Sequence, residues 1–183
     1  MSGRGVADLR VTSGFSGPYR WVGSHGAEFD GPLAGELAAR RDALAAELEP
    51  VVSRVSGARL EVKPASVAVH VRQVVDRDAA AALLDEARSI ADSSLTMKPG
   101  KDVLELAVTD ADKGSALLRL AGELGAAAIV YVGDDLTDED AFRALGASDV
   151  TVKVGEGDTA ARYRVPDTSG ALAVLERLAD LLA

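Results

Sequence analysis

The first half of the chain alternates between helical and strand-like hydrophobic patterns. From Leu33 to Val55 apolar residues recur at the spacing of an amphipathic helix, and Pro50 leaves open whether this is one helix or two. Apolar and polar residues then alternate over Arg59–Lys63 and again over Val67–Val75, which is the pattern of half-buried strands. The segment between them, Pro64 to Ser66, has the length of a hairpin loop, so an antiparallel strand pair is predicted.

A helix and a second strand pair follow in the same half. Residues Ala79–Ala91 show helical periodicity, and Asp78 is in position to cap their first turn. Strands are predicted over Ser94–Lys98 and Asp102–Val108, with the turn between them at Pro99-Gly100. The order of strand pair, helix and strand pair is that of a compact α/β module.

The second half changes to the alternating helix and strand order of an open α/β sheet. A helix over Lys113–Leu124 leads to the apolar strand Ala128–Val132, a Gly-Asp-Asp turn and a helix near Asp138–Leu145. The other predicted elements are shorter or lie near the ends of the chain: strands at Val150–Val154 and Tyr163–Val165, a helix from Ser169 to Leu182, a short helix at Val6–Val11, and a strand plus loop at Tyr19–Phe29. The predicted fold class is therefore α/β.

Composition and charge narrow the possible functions. The chain has 183 residues, 48% of them hydrophobic and 27% charged, which is typical of a folded globular protein. Its net charge of −9 and the lack of a long basic run argue against nucleic-acid binding. Cysteine is absent, so disulfides, thiolate metal sites and cysteine nucleophiles are excluded. No apolar segment is long enough for a bilayer span, and we expect a cytoplasmic protein without membrane association.

The strongest chemical signal is the acidic segment that follows the strand ending at Val132. Gly133 is followed by Asp134 and Asp135, and a further carboxylate occurs at Asp138. In open α/β sheets ligands bind beyond the carboxyl ends of the strands, and a cation would offset the repulsion among these side chains. Oxygen ligands favour Mg²⁺ over zinc. The alternative, given equal weight, is that these residues only form a turn and cap the next helix.

Several other charged residues are ambiguous when they are taken singly. Lys113 opens the helix that leads to the acidic segment, where it could neutralise both the carboxylates and a phosphoryl group, but most such lysines are simply solvated. Glu105 lies on a predicted strand and Lys101 lies beside it. These two residues could bind sugar hydroxyls, or they could simply be solvated at the edge of the sheet. His70 and Arg72 share one face of their strand, which is either a cleft wall or an exposed surface.

Four segments carry a recognisable combination of motifs: Val22–Glu28, Lys63–Arg72, Asp112–Leu117 and Gly133–Asp140. In their order and approximate spacing they resemble the trehalose-6-phosphate phosphatases of the haloacid dehalogenase superfamily, and the resemblance covers nearly the whole chain. The Gly-Asp-Asp sequence alone would indicate only the superfamily.

The resemblance implies a partial Rossmann-like haloacid dehalogenase core with an inserted α/β cap domain. Residues 1–31 would be a core segment beginning at the family's second motif, residues 32–109 the cap that sets substrate specificity, and residues 110–183 the C-terminal half of the core. The implied activity is hydrolysis of the small molecule trehalose 6-phosphate to trehalose and phosphate. The alternatives are a non-catalytic sugar-phosphate binding or regulatory module, and a phosphatase of another sugar phosphate.

The resemblance also implies roles for individual residues. Asp134 would bind Mg²⁺ with Asp135 and Asp138 supporting it, while Lys113 would hold the phosphoryl group and Ser2 would hydrogen-bond to it. Four residues would contact the sugar hydroxyls: His25, Glu28, Lys101 and Glu105.

The chain departs from the family pattern in two places. The Asp-x-Asp-Gly-Thr motif, which supplies the attacking carboxylate and the general acid and base, is missing, and Met1–Arg4 already matches the second motif. An internal or misplaced start is the expected explanation, and we expect no hydrolysis by this chain alone. The family also often has a basic residue and a proline after the strand glutamate, where Ala107 and Val108 stand here.

Overall fold

The structure is a computed structural model that describes residues 1–183, and the chain divides into two compact units, Met1–Asp110 and Ala111–Ala183. The first unit contains helices α1 (Val6–Ser13), α2 (Gly35–Val52) and α3 (Arg77–Ile90) and strands β1 (Val22–Gly23), β2 (Glu28–Phe29), β3 (Arg59–Lys63), β4 (Ser66–His70), β5 (Thr96–Gly100) and β6 (Val103–Ala107). The second contains helices α4 (Lys113–Leu124), α5 (Asp138–Ala144) and α6 (Thr168–Leu182) and strands β7 (Val130–Gly133), β8 (Val150–Val154) and β9 (Tyr163–Val165).

The main sheet of the first unit is antiparallel, with strand order β3-β4-β6-β5, while β1 and β2 form a separate small hairpin. Helices α2 and α3 cover one face of the main sheet through a cluster of buried apolar side chains. Leu48, Val67 and Leu104 in this cluster are among the largest fully buried side chains. The opposite face carries the polar side chains Glu61, Lys63 and Glu105.

Helix α2 runs through Pro50 as one helix, which decides between the two interpretations that the sequence left open. Proline removes one backbone donor and normally interrupts a helix. Here Val51 and Val52 follow it directly and are buried, so their packing stabilises the last turn.

Three predicted boundaries in the first unit are wrong. The strand predicted over Val67–Val75 ends at His70. Asp76, not Asp78, caps α3, because its side chain accepts hydrogen bonds from the backbone N–H groups of Asp78 and Ala79, both at 3.0 Å. The turn between β5 and β6 lies at Lys101-Asp102, and Gly100 is paired with Val103 in the sheet. Asp102 adopts a left-handed backbone conformation (φ 59°), which aspartate tolerates better than most residues.

The sheet of the second unit is parallel, in the order β7-β8-β9, as the alternating pattern of helices and strands predicts. Helix α4 begins with a capping box between Asp112 and Ser115. The predicted cap of α6 at Ser169 is wrong, since the Asp167 side chain accepts from the Gly170 N–H at 3.0 Å and the helix starts at Thr168. None of the six helices is long and apolar enough to cross a membrane.

Candidate functional site

The acidic segment forms a tight loop between β7 and α5. The side chain of Asp138, at the first turn of α5, accepts from the backbone N–H groups of Asp134 at 2.8 Å and Asp135 at 3.0 Å through Oδ2. Gly133 allows this closure, because a Cβ at that position would lie 2.3 Å from Cγ of Asp138. The loop conformation thus depends on a glycine and a buried carboxylate that the sequence motif supplies together.

Lys113 lies at the centre of this acidic loop. Its side chain extends from the first turn of α4, is only 5% exposed, and donates from Nζ to Oδ1 of Asp138 at 2.7 Å. It also reaches Asp135 at 3.3 Å. The close approach of α4 to α5 requires Gly114, where a Cβ would lie 2.6 Å from the carbonyl oxygen of Asp140. A buried ammonium is thereby fixed among carboxylates, which is one of the two arrangements that the sequence left open for Lys113.

The local electrostatics keep these carboxylates ionised. Burial acts to raise the pKa of Asp138, but hydrogen bonds from Lys113 and Tyr131 outweigh it, so the pKa lies below its ordinary value. Burial acts to raise the pKa of Asp135, but the hydrogen bonds from Thr137 and Lys113 and the charge of Lys113 together lower it to about 2. Burial, together with the hydrogen bond to Asp138, raises the pKa of Tyr131, so its hydroxyl remains a donor.

Asp134 differs from its neighbours, because its exposed side chain accepts no hydrogen bond and forms no ion pair within the chain. Both oxygens of Asp138 are engaged, one by Lys113 and Tyr131 and the other by the loop backbone. No group of three or more carboxylate or imidazole side chains is arranged to hold a metal by itself. Asp134 is thus the carboxylate of this loop that remains open to a divalent cation, with a half-exposed Asp135 beside it, and such an ion would need water or other groups to complete its coordination shell.

Lys153 supports the same loop and was missed by sequence analysis. It lies on β8, is 6% exposed, and donates from Nζ to the backbone carbonyl of Asp134 at 2.5 Å. A single charged residue inside the strand Val150–Val154, whose other residues are three valines and a threonine, is the signal that would have indicated it, since buried lysines require a specific partner.

Three of the predicted site residues lie close together in the first unit: Ser2, His25 and Glu28. The backbone N–H of His25 donates to the carbonyl oxygen of Ser2 at 3.1 Å, and Glu28 is 5% exposed. Oε2 of Glu28 accepts from the N–H of Val6 at 3.1 Å and from the Ser24 hydroxyl at 2.6 Å, so the carboxylate also stabilises the start of α1. Glu28 therefore has a structural role at the start of α1, in addition to its predicted role in binding.

Glu105 lies on the polar face of the main sheet, half-buried between two side chains from the β3-β4 hairpin. Lys63 Nζ is 2.6 Å from Oε2, and the Ser66 hydroxyl is 2.7 Å from Oε1. Burial acts to raise the pKa of Glu105, but these two hydrogen bonds, with the charges of Lys63 and Lys98, hold it below its ordinary value. Neither Lys63 nor Ser66 was among the predicted site residues, although the hairpin register places them on the same face.

Lys101 lies at the β5-β6 turn and lines a recess of about 330 Å³ with Arg59, His70 and Arg72. The imidazole of His70 is hydrogen-bonded through Nε2 to Glu61 at 2.7 Å. No hydrogen bond or ion pair joins Lys101 to Glu105. The structure therefore brings Lys113 together with the acidic loop, and Ser2 together with His25 and Glu28, but it does not place Lys101 and Glu105 in contact.

In sequence, the chain is similar to phosphatases of trehalose phosphate. A family model described as trehalose-phosphatase matches residues 1–169. The trehalose-phosphate phosphatase of Mycobacterium tuberculosis is 34% identical over 100% of this chain and 51% of its own length. The bifunctional trehalose-6-phosphate synthase/phosphatase of Thermoproteus tenax is 37% identical over 72% of this chain and 18% of its own length. The chain thus spans about half of the first relative and less than a fifth of the second.

In fold, the chain is similar to solved structures with related names. A crystal structure described as a trehalose-6-phosphate phosphatase related protein is 25% identical, has a TM-score of 0.71, and is matched over 99% of this chain and 80% of that one. The trehalose-6-phosphate phosphatase of Aspergillus fumigatus is 24% identical, with a TM-score of 0.73 over 97% of this chain and 75% of that one. These matches confirm the α/β fold class predicted from the sequence.

Proposed function

Because the chain belongs to the trehalose-phosphatase family, we propose that it carries the phosphate-, metal- and sugar-binding residues of an enzyme that hydrolyses trehalose 6-phosphate to trehalose and phosphate. The observation that carries the proposal is the buried ammonium of Lys113, which is held by Asp135 and Asp138 beside the unpartnered carboxylate of Asp134. A cation fixed beside a carboxylate that is open to a metal suits a phosphoryl dianion.

In the proposed site, Lys113 holds the phosphoryl group and Asp134 is the main ligand of Mg²⁺. Phosphatases of this family generally use a divalent metal, and oxygen donors favour magnesium. When bound, Mg²⁺ neutralises negative charge on the phosphoryl oxygens. Asp135 and Asp138 support the ion by holding Lys113 and the loop backbone in place, and Lys153 fixes the carbonyl group of Asp134.

The sugar contacts are assigned to the first unit. Glu105 and Lys101, on the polar side of the main sheet, are proposed to hydrogen-bond to trehalose hydroxyls, together with His25 and the remaining acceptor capacity of Glu28. Ser2 is proposed to hydrogen-bond to the phosphoryl group. Specificity then comes from these hydroxyl contacts, because a wrong sugar would leave buried polar groups unpaired.

The attacking group is not among these residues. The 183 residues contain no Asp-x-Asp-Gly-Thr segment, and neither Ser2 nor Lys113 replaces an attacking carboxylate. The absence of cysteine suits a reducing compartment, and we propose that the protein acts in the cytoplasm.

The proposal is tested by measuring ligand binding and phosphate release on the same preparations. By titration calorimetry in Mg²⁺ buffer, the chain should bind trehalose 6-phosphate more tightly than sucrose 6-phosphate and should release no phosphate from either. Lys113→Met should weaken binding at least about tenfold, whereas Arg119→Met, which changes an exposed cation on the same helix, should not.

A version extended by the codons upstream, where these encode Asp-x-Asp-Gly-Thr, should gain Mg²⁺-dependent hydrolysis. Equal affinity for both sugar phosphates would contradict the assigned substrate. Binding by the extended protein without any turnover would instead support a regulatory module.

A further inference from the structure

Glu105 is bound on both of its carboxylate oxygens by side chains of its own domain. Lys63 donates to Oε2 at 2.6 Å and Ser66 to Oε1 at 2.7 Å. Each carboxylate oxygen has two acceptor sites, so one site on each oxygen remains available for a ligand. The two protein donors thus fix the plane of the carboxylate without using its full acceptor capacity.

The strand register explains how these groups meet. Ser66 is paired with Lys63 on one side and with Ala107 on the other, and Glu105 is paired with Ala68. Ser66 and Glu105 are therefore diagonal neighbours on one face, at a separation that a long side chain can bridge. The residues directly paired with Glu105 and Ser66 on the neighbouring strands, Ala68 and Ala107, have small side chains.

The ion pair between Lys63 and Glu105 contributes little to folding. The side chains of Lys63 and Glu105 are 38% and 24% exposed, and ion pairs at such partly solvated positions add little to protein stability. Ser66, in contrast, is buried at 4% exposure, so its hydroxyl needs a partner and has Glu105 as acceptor. The Lys63–Glu105 pair is well defined but adds little stability, so it is better explained by what the carboxylate must bind.

We propose that Lys63 and Ser66 are positioning residues that orient the carboxylate of Glu105 to accept hydrogen bonds from two sugar hydroxyls. The inference rests on the proposed function, because it takes Glu105 as a contact of the disaccharide. A preoriented carboxylate binds more tightly than a mobile one, since less rotational freedom is lost when the ligand arrives. The lowered pKa of Glu105 agrees with this role, because only the ionised form accepts on both oxygens.

The test compares two ligands, trehalose 6-phosphate and inorganic phosphate, on the full chain. Lys63→Met and Ser66→Ala should each weaken trehalose 6-phosphate binding about five- to tenfold and leave phosphate binding unchanged, because they act only through the sugar contact. Lys63→Arg should recover most of the loss, since arginine also donates to carboxylate. Glu61→Gln, which alters the neighbouring His70 pair on the same sheet, is the matched control and should bind both ligands normally.

A second measurement shows whether Lys63 binds the Glu105 carboxylate in solution. Carbon-13 NMR titration of the Glu105 carboxyl group should give a higher pKa in Lys63→Met than in the unmodified chain, with no change in Glu61→Gln. If Glu105→Ala weakens trehalose 6-phosphate binding but Lys63→Met and Ser66→Ala do not, the inference is overturned and the proposed function stands. If Glu105→Ala has no effect either, the sugar role of Glu105 fails and the inference fails with it.

Discussion

The two units bury different kinds of side chains. The first unit has a continuous apolar core in which thirteen buried residues from two helices, the main sheet and the segment after β4 pack together. The corresponding apolar cluster of the second unit contains only three buried residues, Leu117, Ala141 and Leu145. Most of the buried charged residues, in contrast, belong to the second unit: Lys113, Asp138, Glu139 and Lys153. Apolar packing thus dominates the first unit, and ion pairs and hydrogen bonds order the site of the second.

The difference extends to the surface of the two units. Helix α6 has no buried residue, and its leucines at 172, 175, 181 and 182 are all more than half exposed. Helices α2 and α3 of the first unit instead bury one face each against the sheet. Changes in charge should therefore affect the second unit most, and changes in apolar volume the first.

The largest expected effect is that of Lys113→Met on the second unit. It leaves Asp138, whose side chain is 5% exposed, without its cation, and breaking a buried pair in this way costs about 3–5 kcal/mol. Urea unfolding followed by circular dichroism, with amide exchange of α4 and β7, measures the loss. Arg119→Met removes an exposed pair of the same helix and should cost at most about 1 kcal/mol. Equal losses in the two variants would show that the pair is not buried in solution.

The next largest loss of stability is expected from a change in the apolar core of the first unit. Leu48 is fully buried, so Leu48→Ala should lower the free energy of unfolding by about 2–5 kcal/mol through lost burial and a residual cavity. Leu175→Ala, on the exposed surface of α6, should change it by no more than about 0.5 kcal/mol. The same urea experiments decide this comparison. A large loss in Leu175→Ala would mean that α6 packs against something in solution.

Helix caps provide a smaller test in both units. Asp76→Ala and Asp167→Ala remove the side-chain acceptors at the starts of α3 and α6, and each should cost about 0.5–2 kcal/mol. Asp78→Ala and Ser169→Ala change the residues that sequence analysis named as caps, and thermal unfolding should show no more than a few tenths of a kcal/mol. If Asp78→Ala and Ser169→Ala instead cost more stability than Asp76→Ala and Asp167→Ala, the caps predicted from the sequence would be the correct ones.

These caps illustrate how far the sequence determines the structure. Periodicity predicted each of the longer helices and most strands, because the burial of one face imposes it. It did not locate the exact helix starts, since Asp76 and Asp78 are both suitable caps and the choice depends on how the preceding loop is held. The turn at Lys101-Asp102 escaped prediction because Pro99-Gly100 is the stronger local turn signal, while the sheet register favours the later position.

The candidate site, like the fold, was predictable only in part. The motif placed Lys113 near the acidic loop, and its geometry agrees with that expectation. What local patterns could not indicate is how the carboxylates divide their roles, with Asp138 fully hydrogen-bonded and Asp134 open. Contacts such as Lys153 to Asp134, or Lys63 to Glu105, join residues that are far apart in sequence, so they follow from strand order and not from local periodicity.

The smallest effect concerns the acid stability of the second unit. The pKa of Asp135 lies at about 2, below the ordinary value of 3.8, so its interactions stabilise the folded state above pH 3.8 and are lost as the pH falls toward 2. Because this side chain is half exposed, the contribution should stay below about 1 kcal/mol. In Asp135→Asn, thermal unfolding measured from pH 5 to pH 2 should show a shallower loss of stability, whereas Asp140→Asn, which changes an exposed carboxylate of α5, should follow the unmodified chain. An unchanged slope in Asp135→Asn would mean that Lys113 stabilises the acidic loop through Asp138 alone, and the charge network that distinguishes the second unit would then be a single buried pair.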